Sequence, residues 1–286
     1  MAKCDVCFRQ CDIAEGSPGF CGGRICAGGV VRAANYGRVT SIALDPIEKK
    51  PLNRFFPGSM IVSVGSYGCN LRCPFCQNDD ISWGDMVSVW PDRARYITPE
   101  ELADIAESYR GSGNIGVAFT YNEPLIGYEF VRDTAKLVHE RGMKNVLVSN
   151  GCASLGVLDE IGPYIDAMNI DLKGFSDEYY RDDLRGSRQM VMEFIEQAVK
   201  ICHVELTTLI VPGKNDSEDE MREMVEWVSS LTDGYGNICG ENIPYHISRF
   251  FPRFHMTDRD ATDVALIYRL ADIARERLKY VYTGNC

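Results

Sequence analysis

From residue 60 onward, short apolar or β-branched runs alternate with amphipathic helical patterns, and this alternation restricts the fold more than any other feature. The runs cover roughly 60–66, 115–120, 144–149, 166–172, 203–211 and 244–248. Between them lie helix signals. Thr98 precedes PEELADIAESYR, which supplies an N-cap, a proline at the first helical position and acids in the first turn. Similar patterns recur over 128–141, 217–231 and 257–277, and KYVYTG at 279–284 reads as a last short strand. Repeated βα units predict a parallel sheet with crossover helices, curled into a partial (β/α)6 TIM-like barrel over 60–286; an open doubly wound sheet is the competing α/β arrangement. Residues 1–59 read differently. They are rich in cysteine and glycine and lack helical periodicity, so a small metal-bound or loop-rich cap is expected, with one strand and a proline-punctuated connection inside 36–59. GSGNIG at 111–116 matches a dinucleotide fingerprint but follows a helix and enters a strand, the reverse of the required order. It reads as a helix C-cap and turn.

The longest apolar runs, such as VELTTLIVPG, are strand-length, so no membrane span is expected. The start MAKCDVCFRQ has no apolar leader region, which makes a cytoplasmic location the expectation. In that reducing compartment the 12 cysteines read as metal ligands and packing residues more than as disulfides. A net charge of -11 repels polyphosphate, so no nucleic-acid partner is expected.

YGCNLRCPFCQN at 67–78 directly follows the first main-domain strand, at the rim where barrel enzymes keep their sites. Structural zinc would take four ligands, yet the next histidine after Cys76 is His139. Iron–sulfur clusters take thiolates. Cys69, Cys73 and Cys76 on a cubic four-iron cluster would leave one iron open.

The C-x3-C-x2-C spacing, with Phe75 before the last cysteine, resembles the signature of the radical S-adenosylmethionine (SAM) enzymes. The resemblance implies a barrel of that type, a 4Fe-4S cluster, and SAM chelated to the open iron through its amino and carboxylate groups. Reductive cleavage would then give a 5'-deoxyadenosyl radical that abstracts hydrogen. In TYNEP, Glu123 falls where the superfamily carries a carboxylate for the methionine amino group, and Asn122 is a second cofactor-binding candidate. Asn150, in VSNG, stands where an amide could bind ribose or carboxylate; an ordinary Asn-Gly turn is the alternative. In NIDLKGF, Asp171 and Lys173 share one strand face as a salt bridge or a cofactor contact. In PYHISRFFP, His246 and Arg249 could reach the same rim, His246 as an orienting group or as a satisfied interior histidine. Asp171, Lys173 and His246 are the catalytic candidates. Together with DPIEKKPLNRFFPG and VPGKND, these motifs are similar to the pyruvate formate-lyase activating enzyme-like radical enzymes, and within them to the AmmeMemoRadiSam system radical SAM enzymes. That likeness implies a reductant such as ferredoxin or flavodoxin, and as substrate either a glycine of a partner enzyme or a small molecule. A non-catalytic iron–sulfur or zinc protein is the reading from a different class.

Cys4, Cys7, Cys11 and Cys21 are dense enough to form a separate metal site, as zinc or as a second iron–sulfur cluster. Cys26 is a substitute ligand. Cys152, Cys202, Cys239 and Cys286 are scattered and read as packing residues.

Overall fold

The structure is a computed structural model that describes residues 1–286, apart from the side chains of residues 85 and 86. Its centre is a sheet of eight strands: β1 (Ser41–Pro46), β2 (Met60–Gly65), β3 (Asn114–Phe119), β4 (Lys144–Ser149), β5 (Ala167–Asp171), β6 (His203–Ile210), β7 (Tyr245–Arg249) and β8 (Val281–Gly284). β1 pairs antiparallel with β2, and every later neighbour is parallel. The spatial order follows the chain order without reversal. Right-handed crossovers in one direction put the connecting helices on one face and leave the other face inside the curl. β1 and β8 remain as edges, so the barrel is partial. The strand expected inside 36–59 is β1, which lies in this main sheet.

The longer helices are α1 (Pro99–Ser108), α2 (Tyr128–Glu140), α3 (Leu155–Ile161), α4 (Arg188–Ala198), α5 (Glu218–Ser229) and α6 (Val264–Arg275). Thr98 and Glu101 form a reciprocal capping box, and Ser217 caps α5 by accepting from the Glu220 amide. The pattern over 257–277 begins later than expected, at Val264, because Thr262 is held elsewhere: its hydroxyl donates to the Ile210 carbonyl and accepts from the Phe250 amide. Helices α3 and α4 lie outside the four helical patterns expected from the sequence. Between α1 and β3, Gly113 adopts φ 82° in the turn expected at GSGNIG.

The loop between β1 and β2 folds back against the inner face. Ile47, Leu52 and Phe55 pack there with Ile61, Ala118, Val146 and Ala167, closing that end of the curl with the chain's own side chains. The N-terminal cap contains the hairpins Ala2–Lys3 with Asp12–Ile13 and Arg24–Ala27 with Val30–Ala33. It is fastened to the sheet domain by buried Arg24, whose Nη1 lies 2.7 Å from Glu129 in the first turn of α2. No described helix is long and apolar enough to cross a membrane.

β3 and β4 approach closely at Gly116, where an added Cβ would fall 1.8 Å from the Lys144 carbonyl oxygen. Gly116→Ala is therefore expected to lower stability by about 3 kcal/mol or more, since the obstacle is backbone and cannot turn aside. Urea unfolding checks this; an unchanged midpoint would contradict the β3–β4 pairing.

Candidate active site

The loop that leaves β2 carries Cys69, Cys73 and Cys76, and its path is set by backbone anchors. Gly68 sits at φ 91° and donates to the Ile81 carbonyl (2.7 Å); a Cβ on it would meet the Cys21 carbonyl oxygen at 2.6 Å. The Cys69 amide donates to that same Cys21 carbonyl (3.1 Å), so cap and loop are in direct contact. Burial raises the pKa of all three thiols, Cys73 to about 11 against the lowering effect of Lys173. For Cys69, burial is reinforced by the charges of Glu123 and Cys73. The Leu71 amide and the Asn150 side-chain amide approach the Cys69 sulfur at 3.4 and 3.7 Å. Phe75 is buried edge-on against Phe250, with ring centroids 6.2 Å apart.

Glu123 follows β3 and is 2% exposed. Its Oε1 accepts from the Leu125 amide (2.9 Å) and the Ser149 hydroxyl (2.8 Å), and Oε2 accepts from the Asn150 amide (2.8 Å). Burial lifts its pKa to about 7 in spite of these donors. A carboxylate has about four acceptor positions, so one stays available on Oε2. The flanking asparagines are committed within the protein. Asn122 accepts from the Ser66 amide and donates to the Gly68 carbonyl, bracing the start of the cysteine loop. Asn150 donates to Asn70 Oδ1 (2.9 Å) and accepts from the Cys152 amide (2.8 Å), with Gly151 at φ 67° completing the turn. Asn150 thus combines the turn role with a sulfur contact.

Asp171, Thr207, His246 and Tyr282 are register partners across β5 to β8, so they stand in one row on one face. Lys173 Nζ lies 2.8 Å from Asp171 Oδ2, and the pair is only partly exposed. Burial works against the Lys173 charge, but Asp171 and the Cys73 sulfur outweigh it and hold the ammonium well above its ordinary pKa. Arg249 turns away from the row, its Nε bonded to the Thr262 carbonyl at 2.7 Å.

His246 is pinned. Its ring stacks on Tyr282 (5.1 Å, 21°), and its Nε2 lies 2.7 Å from Glu205 Oε2. Glu205, which the sequence reading missed, is fully buried and also accepts from the Asn53 and Arg54 amides at 3.0 and 2.7 Å and contacts His203 at 3.0 Å. Burial raises its pKa, but these hydrogen bonds prevail and bring it down to about 2. The available signal was a lone acid, two residues after a histidine, in the otherwise uncharged run VELTTLIV.

In the cap, Cys4, Cys7, Cys11 and Cys21 all line one small cavity, together with Arg9. Cys26 is not among its lining residues; its thiol faces Glu15 Oε2 at 3.4 Å. Among the described residues, no three His, Cys, Asp or Glu side chains converge on one point as single-ion ligands would.

The model of the Radical SAM superfamily matches residues 63–228, from the strand before the cysteine loop to α5. The chain belongs to the radical SAM superfamily. It is 39% identical over 287 residues to an uncharacterized protein of Methanocaldococcus jannaschii, covering 99% of this chain and 81% of that one. It is 28% identical over 187 residues to the pyruvate formate-lyase 1-activating enzyme of Escherichia coli K12, covering 63% and 71%. Streptococcus suis SuiB bound to S-adenosylmethionine shares the fold, with TM-score 0.57 and 12% identity over 77% of this chain and 48% of that one. Membership implies a 4Fe-4S cluster and SAM, and the residues fit both. The cysteine loop offers thiols with nearby amide donors and the Lys173 ammonium, which suit an anionic cluster. Glu123 offers a free acceptor position for an ammonium.

The low pKa of Glu205 has a defined sign. Its stabilising contribution is complete above the ordinary glutamate pKa and is lost as pH falls toward about 2. Glu205→Gln is expected to lower stability at pH 7 by about 3 kcal/mol, because an amide NH2 would face buried donors, and to flatten the acid limb. Chemical denaturation between pH 3 and 7 checks this; parallel curves for the two proteins would contradict it.

Proposed function

We propose that the chain is a radical SAM oxidoreductase of the activating-enzyme kind, which removes a hydrogen atom from a glycine of a partner protein. The observation that carries the reading is the three-thiol loop at the end of β2, faced by Lys173 and neighboured by Glu123. A 4Fe-4S cluster, when bound, would supply the electron for reductive cleavage of SAM. Cys69, Cys73 and Cys76 would hold that cluster. Glu123 would accept a hydrogen bond from the SAM ammonium, which favours the ionised carboxylate and draws down its raised pKa. Lys173 and Asp171, partly exposed on the inner row, would meet the cofactor or substrate directly. Asn122 and Asn150 would hold the cysteine loop and the Cys69 sulfur in place. His246, held by Glu205, would present its remaining ring nitrogen to the same chamber. Likeness to the pyruvate formate-lyase activating enzymes supports a glycine-bearing partner enzyme. The electron would come from a low-potential protein of the ferredoxin or flavodoxin class, in a reducing cytoplasm.

Anaerobic reconstitution, followed by dithionite and SAM, is expected to yield 5'-deoxyadenosine. Cys73→Ala should abolish the product, and Lys173→Ala should reduce it at least about tenfold through loss of a charged contact. Clustered wild-type protein that yields none would contradict the proposal.

A further inference from the structure

The cap carries a second set of thiols that the radical chemistry does not use. Cys4, Cys7, Cys11 and Cys21 come from different turns of an irregular segment, yet they line a single cavity whose other walls include Val6, Ile13 and Ile126. Their convergence is built by backbone contacts: the Cys4 amide donates to the Cys11 carbonyl at 2.9 Å, and the Gln10 amide to the Cys7 carbonyl at 3.1 Å. Cys4, Cys7 and Cys21 are buried and Cys11 is half-buried, without a disulfide among them.

Two facts bear on what the cavity holds. Tetrahedral zinc draws four sulfurs to about 2.3 Å of one point, which fills the space between them. Here the four thiols line one cavity without converging on a single point, as is also true of Cys69, Cys73 and Cys76. A cubane instead takes one thiolate at each of four separate iron corners and occupies the middle itself. Arg9 lines the same cavity. A guanidinium beside four thiolates offsets the negative charge of such a cluster.

From this geometry we infer that Cys4, Cys7, Cys11 and Cys21 bind a second 4Fe-4S cluster, fully ligated by protein, separate from the cluster of the β2 loop. With each iron bound to a cysteine, it has no corner for SAM and is suited to one-electron transfer. The site adjoins the radical centre. The Cys21 carbonyl accepts from the Cys69 amide, and Arg9 Nε donates to the Asn70 carbonyl at 3.1 Å. The Phe20 ring lies between Arg9 and Arg72, with guanidinium carbons 3.4 and 3.8 Å from its centroid, and ties the cap to the cysteine loop.

The test is metal and sulfide content of the full chain, reconstituted anaerobically with iron, sulfide and zinc all present. The C69A/C73A/C76A variant is expected to keep about four irons and about four sulfides per chain, with a visible absorption that dithionite bleaches. Wild type should hold about twice that amount, Cys7→Ala about half of wild type, and Cys26→Ala the wild-type amount. One zinc without sulfide in the triple variant would overturn the inference, as would a triple variant that folds but holds no metal. Should the triple variant not fold, the wild-type count decides: four irons in place of eight overturns it. None of these readings requires SAM cleavage, so they stand apart from the fate of the radical proposal.

Discussion

A buried carboxylate at the junction of two loops is the interaction on which the site depends. Glu123 gathers the Leu125 amide, the Ser149 hydroxyl and the Asn150 amide, and so joins the loop after β3 to the end of β4. Through Asn150 the constraint passes to Asn70 and the Cys69 sulfur. Through its own amide, bonded to the Gly68 carbonyl at 3.3 Å, Glu123 also fixes the start of the cysteine loop. The cost is a carboxyl group whose pKa burial has raised to about 7. Such a group has most to gain from a cation, and one acceptor position remains to receive it.

A second carboxylate organises the inner face by the opposite balance. Glu205 receives enough donors to stay ionised, from two backbone amides of the β1–β2 loop and from two histidine rings. That loop is thereby fixed against β6 while its apolar side chains close one end of the curl. His246 has its orientation set from two sides, by Glu205 and by the Tyr282 ring. Asp171 and Lys173 pair with each other and remain partly exposed. The inner row thus combines a locked histidine with an accessible ion pair.

The sheet was legible in the sequence because strand signals are local: each run expected from 60 onward lies within a residue or two of β2 to β8. Caps were legible for the same reason, as at Thr98 and Ser217. Helix α4 was missed although Ser187 caps it, because its apolar positions Val191, Phe194, Ile195 and Ala198 are interleaved with methionines that blur the stripe. In the site, spacing sufficed for Cys69, Cys73 and Cys76 and for the Asp171–Lys173 pair, whose members are neighbours in the chain. It could not reveal Glu205, whose backbone donors lie 151 and 152 residues away. Nor could it tell that the amides of Asn122 and Asn150 are taken up by the loop they support. In the cap, only the three-dimensional path separates Cys21, which lines the cavity, from Cys26, which faces Glu15.

In the proposed function, three thiols, a nearby ammonium and a carboxylate with one vacant acceptor site would anchor a cluster on one side and leave it open on the other. The most direct measurement is electron-nuclear double resonance on the reduced, reconstituted chain, with SAM labelled at its amino nitrogen and carboxylate oxygen. The C4A/C7A/C11A/C21A variant serves as the sample, so that only the cluster of the β2 loop is observed. The account predicts hyperfine coupling from both labels to the cluster spin. A reduced cluster with no coupling to bound SAM would contradict it.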